Sequence, residues 1–123
     1  MTTTSAPVTF DADALRRAFH DRDARVLSSL YSDDATLELA DAEHTPSQPQ
    51  RIQGREAIDA HIAELFGREM THAVEDVAIG DDTLGYSIRC SYPDGTRVLC
   101  VATAKLRDGR ITRQVAAQVW DVA

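Results

Sequence analysis

The most constraining feature of the chain is its last third, where three alternating segments are separated by two short turns. "LGYSIRCSY" (84–92) puts Leu84, Tyr86, Ile88, Cys90 and Tyr92 on one face and Gly85, Ser87, Arg89 and Ser91 on the other. "PDG" turns the chain into "TRVLCVATAKL" (96–106), and "RDGR" (107–110) turns it again into "ITRQVAAQVWD" (111–121). A side-chain period of two, cut by turns this short, forms an antiparallel meander. "HAVEDVAIG" (72–80) alternates imperfectly and supplies a strand ahead of it.

Turn chemistry sets the expected register. Around "PDG" a three-residue loop with Gly95 in the left-handed region pairs Tyr92 with Thr96, Cys90 with Val98, Ile88 with Cys100 and Tyr86 with Ala102. A two-residue loop would send Leu84, Ile88 and Tyr92 to the opposite face. Asp108-Gly109 is the signature of a two-residue type I′ hairpin. It pairs Leu106 with Ile111, Ala104 with Arg113, Ala102 with Val115, Cys100 with Ala117 and Val98 with Val119. In this register Leu99, Val101, Gln114, Gln118 and Trp120 share the outer face. A patch of Leu, Val and Trp rimmed by polar groups reads as a protein interface, so these five are the expected dimer contacts. Arg113 is then the one charge facing inward on the last strand, either reaching water at the sheet edge or paired with an acid such as Asp34. Cys90 and Cys100 share a face but sit diagonally, a poor geometry for a disulfide, so both are expected as free, buried thiols. They lack a CxxC spacing and clustered histidines, which argues against a metal site.

The first half is helical. "DADALRRAFHDRD" (11–23), capped by Asp11 or Asp13, sets Leu15, Ala18 and Phe19 on one face. Asp23 caps "ARVLSSLY" (24–31), and Asp33-Asp34 break the chain before the strand "ATLELA" (35–40), with Leu37 and Leu39 on its apolar face. "DAEHTPSQPQR" (41–51) reads as a polar loop. "GREAIDAHIAELFGREM" (54–70) is a helix with Ala57, Ile58, His61, Ile62, Leu65 and Phe66 on its apolar stripe. His44 and His72 are expected at the surface. Helices early and strands late give an α+β fold with helices on one face of a sheet.

With 123 residues the chain is one domain, expected over 11–123 behind a flexible tail, 1–10. Its net charge of −7 argues against nucleic acid and anionic membrane surfaces. No apolar run approaches a membrane span, and the N-terminus lacks signal-peptide regions, so a cytoplasmic protein is expected.

Three stretches, "LYSDDATLEL" (30–39), "IQGREAIDAHI" (52–62) and "RDGRITRQVAAQVWD" (107–121), together with the element order, resemble the SnoaL-like branch of the nuclear transport factor 2-like superfamily. The resemblance covers about 11–121. It implies a cone-shaped α+β barrel: three N-terminal helices packed on a strongly curved, mostly antiparallel sheet, with a pocket at one end. It also implies a homodimer joined through the outer sheet face. The superfamily includes isomerases, cyclases, epoxide hydrolases, dehydratases and members with no known activity. Many such sequences carry a working carboxylate on the last strands; here Val115, Ala116 and Ala117 stand in that stretch.

The expected function is binding of a small hydrophobic molecule in an apolar pocket, with no cofactor and no metal. The expected walls are Tyr31, Leu37, Leu39, His61, Phe66, Tyr86, Cys90 and Arg113. The first alternative is an isomerase, cyclase or lyase acting on a polyketide- or steroid-like carbonyl substrate, with His61 as base and Tyr86 polarising the carbonyl. Against it, the plainer reading of His61 is a core histidine hydrogen-bonded to backbone, and Tyr86 also reads as a plain core tyrosine. The second alternative is a non-catalytic dimeric interaction module.

Overall fold

Asp11 accepts a 2.9 Å hydrogen bond from the Ala14 amide and starts α1 (Ala12–Asp21) in a computed structural model that describes residues 9–121. Residues 1–8 of the expected tail lie outside the described residues. Phe10, placed in that tail by the sequence, is buried and belongs to the core. Arg22, in the left-handed region, ends α1, and Asp23 caps α2 (Ala24–Ser29) through the Val26 amide. Gly54, at φ 88°, turns the chain into α3 (Arg55–Phe66), whose buried stripe is Ile58, Ile62 and Phe66. Helix α1 packs on β3 (Thr71–Ile79), α2 packs on α1 and α3, and α3 packs on β1 (Tyr31–Ala40) and β2 (Gln50–Gln53). Among the described residues no helix is long and apolar enough to cross a membrane.

The meander continues through β4 (Thr83–Ser91), β5 (Arg97–Arg107) and β6 (Arg110–Trp120). All six strands form one sheet in the order β2-β1-β6-β5-β4-β3, antiparallel except where β1 runs parallel to β6. The α+β architecture is the expected one, with two additions. Strand β1 begins at Tyr31 and runs through Asp33-Asp34, its pairing with β6 slipping between Tyr31 and Thr36. The end of the polar loop forms β2, which carries one buried apolar residue, Ile52, opposite Leu37. One apolar position in four residues leaves no period to read.

The β4–β5 register is the one the three-residue turn dictates. Gly95 lies at φ 93°, the Tyr92 amide donates to the Thr96 carbonyl at 2.9 Å, and Cys90 pairs with Val98, Ile88 with Cys100 and Tyr86 with Ala102. The β5–β6 turn also has its expected form, Asp108 at φ 53° and Gly109 at φ 76°, with Leu106 opposite Ile111. One residue later the register departs from expectation. Lys105 pairs with Arg113, leaving Thr112 as an extra residue, and every later pair is displaced by one: Ala104 with Gln114, Ala102 with Ala116, Cys100 with Gln118 and Val98 with Trp120. An extra residue is a β-bulge, and a shift of one exchanges the two faces.

The exchange has a physical cause in Arg113. Without the bulge its guanidinium would point into an apolar interior, a burial far more costly than exposing a few methyl groups. With it, Arg113 stands exposed outside, as do Val115, Ala117 and Val119. Gln114, Ala116, Gln118 and Trp120 turn toward the helices instead. Ile111, ahead of the bulge, stays fully buried, its amide donating to the Leu30 carbonyl at 2.8 Å.

Candidate functional site

The inner sheet face is built in rows. Tyr86, Ala102, Ala116 and Leu39 lie side by side across four strands, and Leu84, Ala104, Gln114 and Leu37 form the next row. Ala116 leaves space that its large neighbours do not fill. The result is a cavity of about 80 Å³ between the sheet and α3.

Its deepest polar feature is a cluster of three side chains. Tyr86 Oη donates to Gln114 Oε1 at 2.8 Å, and Tyr31 Oη donates to the same oxygen at 3.2 Å. One carbonyl with two lone pairs thus satisfies two buried hydroxyls. The Gln114 oxygen takes both hydroxyls and the side chain lines the cavity, which leaves its amide nitrogen as the donor available to that space. Burial raises the Tyr31 hydroxyl to about 12. Burial, reinforced by Tyr31, holds the Tyr86 hydroxyl well above its ordinary value. Both stay protonated across the physiological range.

His61 faces the same cavity from α3, half-buried, and burial lowers its pKa so that the imidazole is neutral at pH 7. Glu38 borders the cavity, but its carboxylate is held by Arg51 at 3.0 Å. Cys90 and Cys100 are free thiols on the cavity wall, raised by burial to about 11 and about 12.

His72, expected at the surface, is 5% exposed. Its Nδ1 lies 3.2 Å from Cys90 Sγ, and its ring packs edge-on against Phe19 and Phe66 at centroid distances of 5.7 and 5.5 Å. Burial, with a contribution from Arg22, depresses its pKa to about 4. Nε2 has no hydrogen-bond partner among the described residues. His44 is half-buried, with Nδ1 2.8 Å from the Asp41 carboxylate.

A second, wider space of about 740 Å³ adjoins the first and shares Leu39, His61, Arg68, Gln118 and Trp120 with it. It is lined by Asp41, Glu43, Arg51 and Glu64 and forms a polar vestibule. The neck between the spaces is braced. Arg68 grips both Glu64 oxygens at 2.9 and 3.0 Å and donates to Tyr92 Oη at 3.2 Å. Trp120 stacks on Tyr92 at 5.8 Å, and its Nε1–H donates to Gln118 Oε1 at 3.1 Å.

Of the expected wall residues, Tyr31, Leu37, Leu39, His61, Tyr86 and Cys90 come together around the inner cavity. Two do not. Phe66 lies behind the wall against Phe19 and His72. Arg113 is on the opposite face because of the bulge, and the suggested acid Asp34 instead accepts from Ser32 Oγ at 3.0 Å. Of the expected interface residues, Leu99 and Val101 face outward, whereas Gln114, Gln118 and Trp120 line the cavity. The signal that could have placed these three was Arg113 itself: the strand's only inward charge meant the register was off by one.

A model of the SnoaL-like domain matches residues 12–114. The chain belongs to the SnoaL-like domain family. It is thereby a member of the nuclear transport factor 2-like superfamily, and its fold is shared with solved structures of low sequence identity. A nuclear transport factor 2-like protein of unknown function from Mesorhizobium loti superposes with a TM-score of 0.72 at 21% identity, covering 88% of this chain and 89% of the other. One from Burkholderia xenovorans LB400 gives 0.72 at 20% identity, covering 91% and 80%. SalBIII, an epoxide hydrolase/cyclase-like enzyme with a role in pyran ring formation in the polyether salinomycin, gives 0.67 at 17% identity, covering 88% and 86%. At these identities the likeness is one of fold. No curated protein sequence matches the chain.

Proposed function

We propose that this SnoaL-like domain binds a small, uncharged hydrophobic molecule whose carbonyl oxygen meets Gln114 at the closed end of the cavity. The observation that carries this reading is the Tyr31–Gln114–Tyr86 cluster. The two hydroxyls occupy the amide oxygen and leave the amide nitrogen as a donor in a mostly apolar space. Neutral tyrosines and a neutral His61 favour a neutral ligand over an anion. Thermal-shift titrations with an aliphatic ketone and the alkane of equal length test it. The ketone stabilises the protein more than the alkane does, and Gln114→Leu removes the difference. Equal shifts from both, or none from either, overturn it.

A second reading is enzymatic, an isomerase, cyclase or lyase acting on a carbonyl substrate. It is favoured by the neutral imidazole of His61, free to accept a proton, facing the same cavity. Deuterium uptake at the α-carbon of a bound ketone in D₂O would be accelerated by the wild type and lost in His61→Ala. An uncatalysed rate in both leaves the binding role alone.

We further propose a homodimer joined through the outer sheet face. Val101, Val115 and Val119 are exposed there at 50, 42 and 67%, beside Leu99 and Ala117. A cytoplasmic setting suits the two free thiols. The charge of −7 disfavours nucleic acid and anionic membrane as partners.

A further inference from the structure

The two spaces differ about ninefold in volume, and that difference bears on what the ligand looks like. An apolar cavity of about 150 Å³ is filled by one benzene molecule, roughly 25 Å³ for each non-hydrogen atom. The inner chamber, at about 80 Å³, therefore holds about three such atoms, which is an acetyl group and not a ring. Its most extensive set of shared walls is the neck that includes Leu39, His61, Leu65, Gln118 and Trp120, beyond which lies the polar vestibule. On the reading that Gln114 receives a carbonyl, we propose that the site recognises the end of a longer molecule. An acetyl-sized methyl-ketone head enters the inner chamber, and the rest of the molecule passes the neck into the vestibule.

The geometry behind this is the row of small residues. Within the row Tyr86, Ala102, Ala116 and Leu39, Ala116 is the small side chain on the chamber wall, set between the large walls of Tyr86 and Leu39, so the chamber is narrow there. Both flanks of an internal ketone would have to fit there at once. A terminal methyl ketone places only its methyl and carbonyl inside, with the chain leaving through the neck.

The test uses isomers of equal composition, 2-octanone and 4-octanone, titrated against the wild-type protein by calorimetry or by quenching of Trp120, the single tryptophan. The expected result is at least tenfold tighter binding of 2-octanone. Equal affinities overturn the end-recognition proposal while leaving ketone binding intact. Failure of both ketones to bind overturns ketone binding as well. Ala116→Leu adds three carbons to a chamber with room for about three, so it should abolish the preference for 2-octanone. An Ala116→Leu protein that folds and keeps the tenfold preference contradicts the placement. If this variant does not fold, the isomer comparison decides alone.

Discussion

Removing the Gln114 amide should harm the protein more than removing all three polar groups of the cluster together. In Gln114→Leu, Tyr31 and Tyr86 lose the oxygen that now accepts from both at 3.2 and 2.8 Å. Both tyrosines are nearly inaccessible, 3% and 4% exposed, so bulk water cannot replace that oxygen. A buried hydroxyl left unpaired costs about 1–3 kcal/mol, and two bring the sum to about 2–6 kcal/mol. The leucine buries a little more apolar surface than the glutamine did, offsetting about 1 kcal/mol and leaving a net loss of about 1–5 kcal/mol. The triple variant Tyr31→Phe/Tyr86→Phe/Gln114→Leu has no orphaned group, and replacing all partners by apolar groups of like shape is close to neutral. Urea unfolding of the wild type, the single variant and the triple variant measures this. The two Phe substitutions should rescue the Leu variant by at least about 1 kcal/mol. A Gln114→Leu protein as stable as wild type, or a triple variant less stable than the single one, would refute the inward placement of Gln114.

His72 makes stability depend on pH. Its folded pKa is about 4, against about 6.5 unfolded, so its contribution is complete above pH 6.5 and is lost as pH falls toward 4. Between pH 7 and pH 5 the expected loss is about 2 kcal/mol, so the wild-type urea midpoint should fall over that range relative to that of His72→Phe, and parallel pH profiles would refute it. The native thiols should resist a disulfide reagent at pH 8, given values of about 11 and about 12. Denaturation without reductant should then release two reactive thiols, and finding none would mean a disulfide. In sedimentation, Val119→Glu should dissociate the proposed dimer, whereas Trp120→Glu should leave it assembled and weaken ligand binding. The opposite pattern would restore Trp120 to the outer face.

The legible part of the fold was that written in turn chemistry and period. Gly95 set the β4–β5 register, Asp108-Gly109 set the hairpin type, and Asp11 and Asp23 set the helix starts. Strand β2 was hidden because its single core residue, Ile52, makes no pattern. The bulge at Thr112 was hidden because a type I′ turn fixes only the first pairs beyond it, and tertiary burial decides the rest. That one residue explains most of the site errors. It moved Arg113 out and brought Gln114, Gln118 and Trp120 in. His72 misled for a different reason: a histidine at the start of an acidic, imperfectly alternating strand gives no sign that Phe19 and Phe66 will enclose it.

The proposed function turns on a ligand carbonyl meeting Gln114 at the closed end of the inner cavity. A crystal structure of the protein with 2-octanone tests it most directly. The ketone oxygen is expected within about 3 Å of the Gln114 amide nitrogen, with the alkyl chain leaving past Trp120. A ketone lying wholly in the vestibule or on the outer sheet face, with the inner chamber unfilled, would contradict it.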